Sequence, residues 1–379
     1  MYALYLKNGV FFNKIFHFSC QLFMTPQKKL QNWYGLNQRD LPWRNTQDPY
    51  LIWLSEVILQ QTRVQQGLPY FQKFLAKYPT VFLLASAKED DILKLWQGLG
   101  YYSRARNMHH TAKIVLNEYK GVFPSTYNGL IQLKGIGPYT AAAIASFAFN
   151  EQVAVLDGNV FRVLSRLFCQ KEPINSTSGK KIFTELAKSF LNLKEPAIHN
   201  QAMMELGSLI CTPSNPNCKN CPLQNNCLAN SLGQQLAFPI KEKKLKVKNR
   251  YLAYFHFEVD GYLAIYQRPA GDIWQNLFDL PFLEMDEPED TQFWISTLIA
   301  KSWISKSDKI ILCFQRKHLL THRRIFADFY NVTLKKRPVL NLNEVWVNKN
   351  EISKYGISRL LDHYLIQNFS KLKTEKDLI

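Results

Sequence analysis

The chain has 379 residues, 46% of them hydrophobic and 13% aromatic, which is enough apolar material for two or three domains with real cores. A net charge of +17 and a pI near 9.4 favour a polyanionic partner. No apolar run approaches a bilayer span, so nucleic acid stands ahead of membrane. The length and the lack of a recognisable secretory signal exclude a small disulfide-stapled scaffold.

Residues 2–23 are aromatic and cationic without acids, but Lys7, Asn8, Lys14 and His17 interrupt any signal-peptide core. Met24 directly precedes the polar helical start Thr25-Pro26-Gln27-Lys28-Lys29. Residues 1–24 are therefore expected to be a non-native or disordered extension, with Met24 the natural start.

From Thr25 to about Ala229 the pattern is helical, in segments separated by Gly, Pro and Asn. Asp48-Pro49 reads as an N-cap and first-turn pair opening a helix through Tyr50 to Thr62, with Glu56 inside it. The neighbours of Glu56 one turn away are Ile52, Trp53, Leu59 and Gln60, a mostly apolar face. Burial there raises a carboxyl pKa and suits a general acid; the plainer reading is a Glu paired with an Arg.

Leu133-Lys134-Gly135-Ile136-Gly137-Pro138-Tyr139-Thr140 then places two glycines and a proline before an Ala-rich run. Gly135 and Gly137 permit close backbone approach, and Pro138 suits a first helical turn whose free amides bind phosphate. This is a helix-hairpin-helix signature, against the alternative of an ordinary tight turn between packed helices. Next, Leu156-Asp157-Gly158-Asn159-Val160 opens a helix carrying Arg162 and Arg166. Asp157 is at least a helix cap, and a cap is also a carboxylate held in place. Two carboxylates in different environments are what glycosidic cleavage needs.

Cys211, Cys218, Cys221 and Cys227, four of seven cysteines, fall within seventeen residues. Such a set binds one metal centre, either zinc or an iron-sulfur cluster, and spacing alone does not choose. Cys20, Cys169 and Cys313 are isolated. Residues 231–250 read as a basic linker, after which the texture changes. Strands are expected over Tyr251 to Val259, Tyr262 to Gln267, Lys309 to Phe314 and Ile325 to Leu334, with a hairpin turn at Asp260-Gly261. Ser358 to Phe369 reads as an amphipathic helix. The organisation expected is a helical domain over 25–230, the linker, an α+β domain over 251–370 and a tail over 371–379.

Joined to Leu41-Pro42-Trp43-Arg44, Ser55-Glu56-Val57-Ile58-Leu59-Gln60-Gln61-Thr62, Gly98-Leu99-Gly100-Tyr101-Tyr102-Ser103-Arg104 and Asn200-Gln201-Ala202-Met203-Met204, these motifs resemble the MutY-type adenine DNA glycosylases of the helix-hairpin-helix superfamily. The resemblance implies an all-α glycosylase fold with an iron-sulfur loop at 211–227, followed by an α+β MutT/Nudix-like domain. It implies a [4Fe-4S] cluster on Cys211, Cys218, Cys221 and Cys227. The partner implied is double-stranded DNA with adenine opposite 8-oxoguanine or guanine, met by a monomeric, cytoplasmic, DNA-associated enzyme that flips the adenine into a pocket between two helical lobes.

Glu56 would then protonate adenine N7, and Asp157 would stabilise the oxocarbenium-like sugar with Tyr139 and Asn159 in support. Arg39, Trp43, Arg44, Leu59 and Gln201 match the adenine pocket; Gln61, Thr62, Leu99 and Tyr101 match residues that enter or flank the duplex. Where endonuclease III-like lyases carry a nucleophilic lysine this chain has Tyr139, which implies a monofunctional glycosylase. The family's Phe-Ser-His loop for 8-oxoguanine appears as Leu320-Thr321-His322, and the Glu-rich magnesium helix of Nudix hydrolases is missing. An endonuclease III-like lyase and a non-catalytic lesion-binding protein are the alternatives.

Overall fold

The structure is a computed structural model describing residues 24–242, 247–320 and 322–376. The expected N-terminal extension up to residue 23, linker residues 243–246, Thr321 and the last three residues of the expected tail lie outside the described residues. In chain order the helices are α1 (Pro26–Asn37), α2 (Pro49–Leu59), α3 (Val64–Lys77), α4 (Val81–Ser86), α5 (Glu89–Trp96), α6 (Ser103–Glu118), α7 (Tyr127–Leu130), α8 (Pro138–Phe149), α9 (Gly158–Leu167), α10 (Thr177–Phe190), α11 (Pro196–Leu209) and the short α12 (Leu228–Ser231). The chain folds as two compact units. One combines the described parts of 1–56 and 122–243, the other those of 57–121 and 244–379, so the boundary falls inside α2.

In the first unit, apolar residues spaced three and four apart close α1, α9, α10 and α11 around one core of Leu30, Val163, Leu164, Phe183, Ala202 and Leu206. Cys211, Cys221 and Cys227 pack on the edge of that core. α8 is buried from Thr140 to Ser146, and its alanines let neighbouring backbones come close. Asn200 of α11 is buried and donates to Ser146 Oγ (2.9 Å) and Val153 O (2.8 Å), while its Oδ1 accepts from Val155 N (3.1 Å). This side chain fixes the extended approach to Asp157.

In the second unit, α3 to α6 bury Phe74 against Trp96 edge-on at 5.8 Å, and a mixed sheet follows. Its strands are β1 (Lys248–Val259), β2 (Tyr262–Gln267), β3 (Phe278–Asp279), β4 (Phe282–Met285), β5 (Lys309–Leu319), β6 (Arg323–Thr333) and β7 (Val345–Asn348), with helices α13 (Thr291–Ala300) and α14 (Arg359–Lys376). The order is β3-β2-β1-β6-β5, with β4 on β1 and β7 on β2. β1 runs parallel to β6, while β5 and β6 form a long antiparallel ribbon. The Asp260-Gly261 turn joins β1 to β2 as the sequence suggested, both residues taking positive φ (53° and 77°).

β5 extends five residues past the expected Phe314, and β6 begins two residues before the expected Ile325. The added stretch from Gln315 to Leu319 has no apolar alternation to betray a strand, because its register with β6 rather than burial holds it. At the end of the ribbon Leu320 N donates to Arg323 O (2.9 Å) and Lys248 N donates to His322 O (3.2 Å).

Candidate active site

Asp48 opens α2 as expected: its Oδ1 accepts from Tyr50 N (2.8 Å) and its carbonyl from Ile52 N (3.1 Å). Seven residues into that helix, Glu56 is 6% exposed. Its Oε2 accepts the hydroxyl hydrogen of Tyr139, the second residue of α8. Burial pushes the Glu56 carboxyl up to about 7, the nearby Asp157 adds to the rise, and the Tyr139 hydroxyl and the Arg44 charge oppose it. Burial also holds the Tyr139 phenol well above its ordinary range, so Tyr139 remains the donor. The Tyr139 hydroxyl is bonded to Glu56, and Asp157 is near enough to raise its pKa further. Gly137 caps α8 and leaves Tyr139 one residue inside the helix, within reach of α2.

Asp157 caps α9, its Oδ1 accepting from Val160 N (2.7 Å) and its Oδ2 from Asn159 Nδ2 (2.7 Å). Burial raises its pKa, but the amides of Val160 and Asn159, the Asn159 side chain and the Arg162 charge all favour the ionised form. Burial raises both buried carboxyls, but their settings differ: several amide donors and the Arg162 charge oppose the rise at Asp157, against the Tyr139 hydroxyl and the Arg44 charge at Glu56. Asn159 is itself held, its Oδ1 accepting from Arg162 Nη2 (2.8 Å). Arg162 also donates to Gly207 O (2.6 Å) and Cys211 O (2.7 Å). A Cβ on Gly207 would lie 2.6 Å from that of Asn159, so only glycine lets α11 approach here.

Arg39 and Arg44, expected at the base pocket, converge on a residue the sequence reading did not single out. Glu205 of α11 is fully buried and accepts from Arg39 Nε (2.8 Å), Arg44 Nη1 (2.9 Å) and Arg44 Nη2 (2.7 Å). Burial alone would raise its pKa, yet the two guanidiniums and the Arg39 amide bring it down to about 2. A Glu in the otherwise apolar window Ala202 to Leu206 was the available signal. Gln201, one turn earlier, accepts from the Tyr34 hydroxyl (2.5 Å), over whose ring Arg44 lies at 5.6 Å. Trp43 is buried in the 3-10 turn Pro42–Arg44, and Leu59, the last residue of α2, packs on Gly67.

Glu205→Ala leaves two guanidiniums without their anion and is expected to cost about 3–5 kcal/mol of stability, measured by denaturant unfolding. The folded-state pKa lies below the unfolded one, so this contribution is present above about 4.5 and is lost as pH falls towards about 2.

The duplex-entering candidates lie in the second unit. Gln61 and Tyr101 take positive φ (55° and 49°), and Gly98 and Gly100 do the same (100° and 72°). Tyr101 is exposed and Leu99 is buried. Arg104 staples the two loops: it donates to Val57 O (2.8 Å), Ile58 O (3.0 Å) and Gln60 O (2.7 Å) on one side, and to Gly100 O (3.2 Å) on the other. Thr62 follows that junction, with its hydroxyl on Gln60 O (3.3 Å). Gly135 has φ 81°, and Gly137 caps α8 with Pro138 at its first position. Leu320 and His322 sit at the end of the β5–β6 ribbon, with His322 exposed.

Cys211, Cys218, Cys221 and Cys227 form no disulfide. Each of Cys218, Cys221 and Cys227 feels the charge of Cys211, and burial pushes the Cys221 thiol up to about 12. Among the described residues no three His, Cys, Asp or Glu side chains are grouped as a metal ion requires. Arg166, 2% exposed, donates to Cys211 Sγ (3.4 Å), Thr212 O (2.7 Å), Pro213 O (2.9 Å) and Gln235 O (2.8 Å). A buried cation beside an all-thiol donor set fits an anionic thiolate centre, zinc or iron-sulfur alike. No described helix is long and apolar enough to cross a membrane.

Residues 54–190 match the family model of HhH-GPD superfamily base excision DNA repair proteins, and residues 253–367 match that of the NUDIX domain. The adenine DNA glycosylase of Buchnera aphidicola subsp. Baizongia pistaciae (strain Bp) is 33% identical over 336 residues, covering 86% of this chain and 92% of that one. That of Buchnera aphidicola subsp. Schizaphis graminum (strain Sg) is 36% identical over 330 residues, covering 86% and 90%. Among solved structures, a thermostable thymine-DNA glycosylase is 28% identical with a TM-score of 0.51, covering 54% of this chain and 95% of that one. With more than 30% identity over nine-tenths of each Buchnera relative, the chain belongs to the adenine DNA glycosylase family.

Proposed function

We propose that the chain is a monofunctional glycosylase that removes adenine mispaired with 8-oxoguanine, or with guanine, by hydrolysing its N-glycosidic bond and leaving an abasic site. The observation that carries this reading is the pair of buried carboxyls in opposed settings, Glu56 protonated near neutrality and Asp157 surrounded by donors. Glu56 delivers its proton to adenine N7 as the C1′–N9 bond breaks, so the base leaves neutral. Tyr139 holds the carboxyl in place and stays bonded to the carboxylate that results. Asp157, fixed by its cap and by Asn159, faces the positive charge that develops on the sugar and either stabilises it or traps it covalently before water completes the reaction. The carboxylate of Glu56 then takes a proton from that water, which restores the acid.

Trp43 and Gln201 line the adenine pocket, Arg39, Arg44 and Glu205 hold its wall rigid, and Leu59 is carried over from the family resemblance as a base-contacting residue. Gln61, Thr62, Leu99 and Tyr101 enter or flank the duplex, and Leu320, Thr321 and His322 read the opposite base. Gly135 and Gly137 bring the α8 amides to a DNA phosphate. Cys211, Cys218, Cys221 and Cys227 would hold a [4Fe-4S] cluster, with the Arg166 guanidinium beside Cys211 neutralising part of its charge. Held by these four residues, it would supply a structural tie within the 211–227 loop. The protein acts as a monomer on DNA in the cytoplasm.

Tyr139 has no amine with which to open the abasic sugar. Borohydride added during turnover should therefore trap no covalent enzyme–DNA complex, and strand breaks should appear only after alkali. Trapping that depends on Glu56 and Asp157, with breaks lacking alkali, would favour the endonuclease III-like lyase instead.

A further inference from the structure

The first turn of α6 joins two parts of the second unit that the chemistry above treats separately. Tyr101, the exposed duplex-entering candidate, immediately precedes Tyr102, whose buried hydroxyl donates to Ile357 O (3.2 Å) in the Nudix-like part. One turn on, Arg106 donates to Gln275 O (2.9 Å), in the loop between β2 and β3. That loop is pinned again by Asn276, at φ 65°, which donates to Glu89 Oε1 (2.5 Å) at the start of α5. On its other side the indole of Trp274 meets the His318 ring at 6.0 Å. His318 lies in β5, two residues before Leu320. An unbroken run of packed and hydrogen-bonded groups thus leads from the end of the ribbon through His318, Trp274 and the Gln275 carbonyl to Arg106, and from there to the backbone that carries Tyr101.

We propose that Tyr102 and Arg106 are positioning residues for opposite-base specificity: they transmit engagement of Leu320 and His322, at the end of the β5–β6 ribbon, to Tyr101, so that the lesion is read and the duplex entered as one event. The inference rests on the reading of that segment as the 8-oxoguanine sensor. Its physical basis is that a charge-assisted bond and a buried hydroxyl bond hold two elements in one arrangement, and residues sharing such a network act non-additively. Nothing in the chemistry at Glu56 requires either side chain. A merely structural role for them would therefore lower the rate equally opposite every base.

The test is single-turnover excision by the full-length, cluster-loaded protein on duplexes carrying adenine opposite 8-oxoguanine or guanine. Tyr102→Phe, Arg106→Ala and Arg106→Lys are each compared with and without His322→Ala. Arg106→Ala should cut the preference for 8-oxoguanine by about tenfold, chiefly through the 8-oxoguanine rate. Arg106→Lys, which keeps a donor for the Gln275 carbonyl, should restore most of it. In the His322→Ala background the Arg106 effect on the preference should vanish. Tyr102→Phe loses only a hydroxyl and should show the same pattern at smaller size, whatever the fate of Arg106→Ala as a folded protein. Equal losses opposite both bases, or an undiminished Arg106 effect in the His322→Ala background, would overturn the proposal while leaving the functional reading intact. A parent protein with no preference for 8-oxoguanine would sink the functional reading itself, and the proposal with it.

Discussion

Glu56→Gln is expected to lower the excision rate by about three orders of magnitude and, at alkaline pH, to make the protein more stable. Both effects have one cause. Burial pushes the Glu56 carboxyl up to about 7, so near neutrality a large fraction of molecules carries the proton the reaction needs. The parent rate should be level below about 7 on this limb and fall tenfold per pH unit above it, whereas the variant's residual rate should show no such limb. For stability the sign follows from the same shift. The folded-state pKa stands above the ordinary 4.5, so the contribution of the neutral group is full below about 4.5 and is lost as pH rises through about 7. Above pH 8 that loss is on the order of 3 kcal/mol, and glutamine, which never ionises, avoids it. Gln still offers an oxygen to the Tyr139 hydroxyl, so the site should remain assembled. Unfolding curves of the two proteins at pH 5 and pH 9 check the stability half, which requires their difference to grow with pH.

Asp157→Asn is the complementary substitution, and its expected effect on catalysis is comparable, about a thousandfold or more. Asparagine is as good a helix cap as aspartate, so the bond to Val160 N survives and α9 should form as before. What is lost is the negative charge opposite the sugar. The new amide would also turn a donor towards Asn159 Nδ2, which already donates to this position, and Asn159 Oδ1 is engaged by Arg162. That conflict should cost about 1 kcal/mol. A large loss of rate with a small change in melting temperature, on protein that still binds duplex DNA, is the expected signature. Loss of rate accompanied by gross unfolding would reduce Asp157 to a cap alone.

The candidate positions are legible wherever a local pattern carries them. Glu56 stood out because a carboxylate among Ile52, Trp53 and Leu59 is anomalous, and Asp157 because a cap needs only its own loop and helix. The tie between Arg44 and Glu205 was not legible, since the partners are 161 residues apart and no local spacing joins them. The plain reading weighed for Glu56, a buried Glu paired with Arg, describes Glu205 instead. Distance also hid the parallel pairing of β1 with β6 and the length of the β5–β6 ribbon, whose polar outer half reads as loop. Tyr139 was picked out by its place after Gly-Ile-Gly-Pro, but which carboxylate its hydroxyl bonds depends on where α8 meets α2, and that only the folded chain specifies.

The most direct test of the central claim is single-turnover excision on duplexes with adenine opposite 8-oxoguanine, guanine or thymine, each split with and without alkali, for the parent protein and Glu56→Gln. Strand breaks are expected only after alkali, fastest opposite 8-oxoguanine, and none above background in the variant. Breaks without alkali, no dependence on the opposite base, or full activity in Glu56→Gln would contradict the claim.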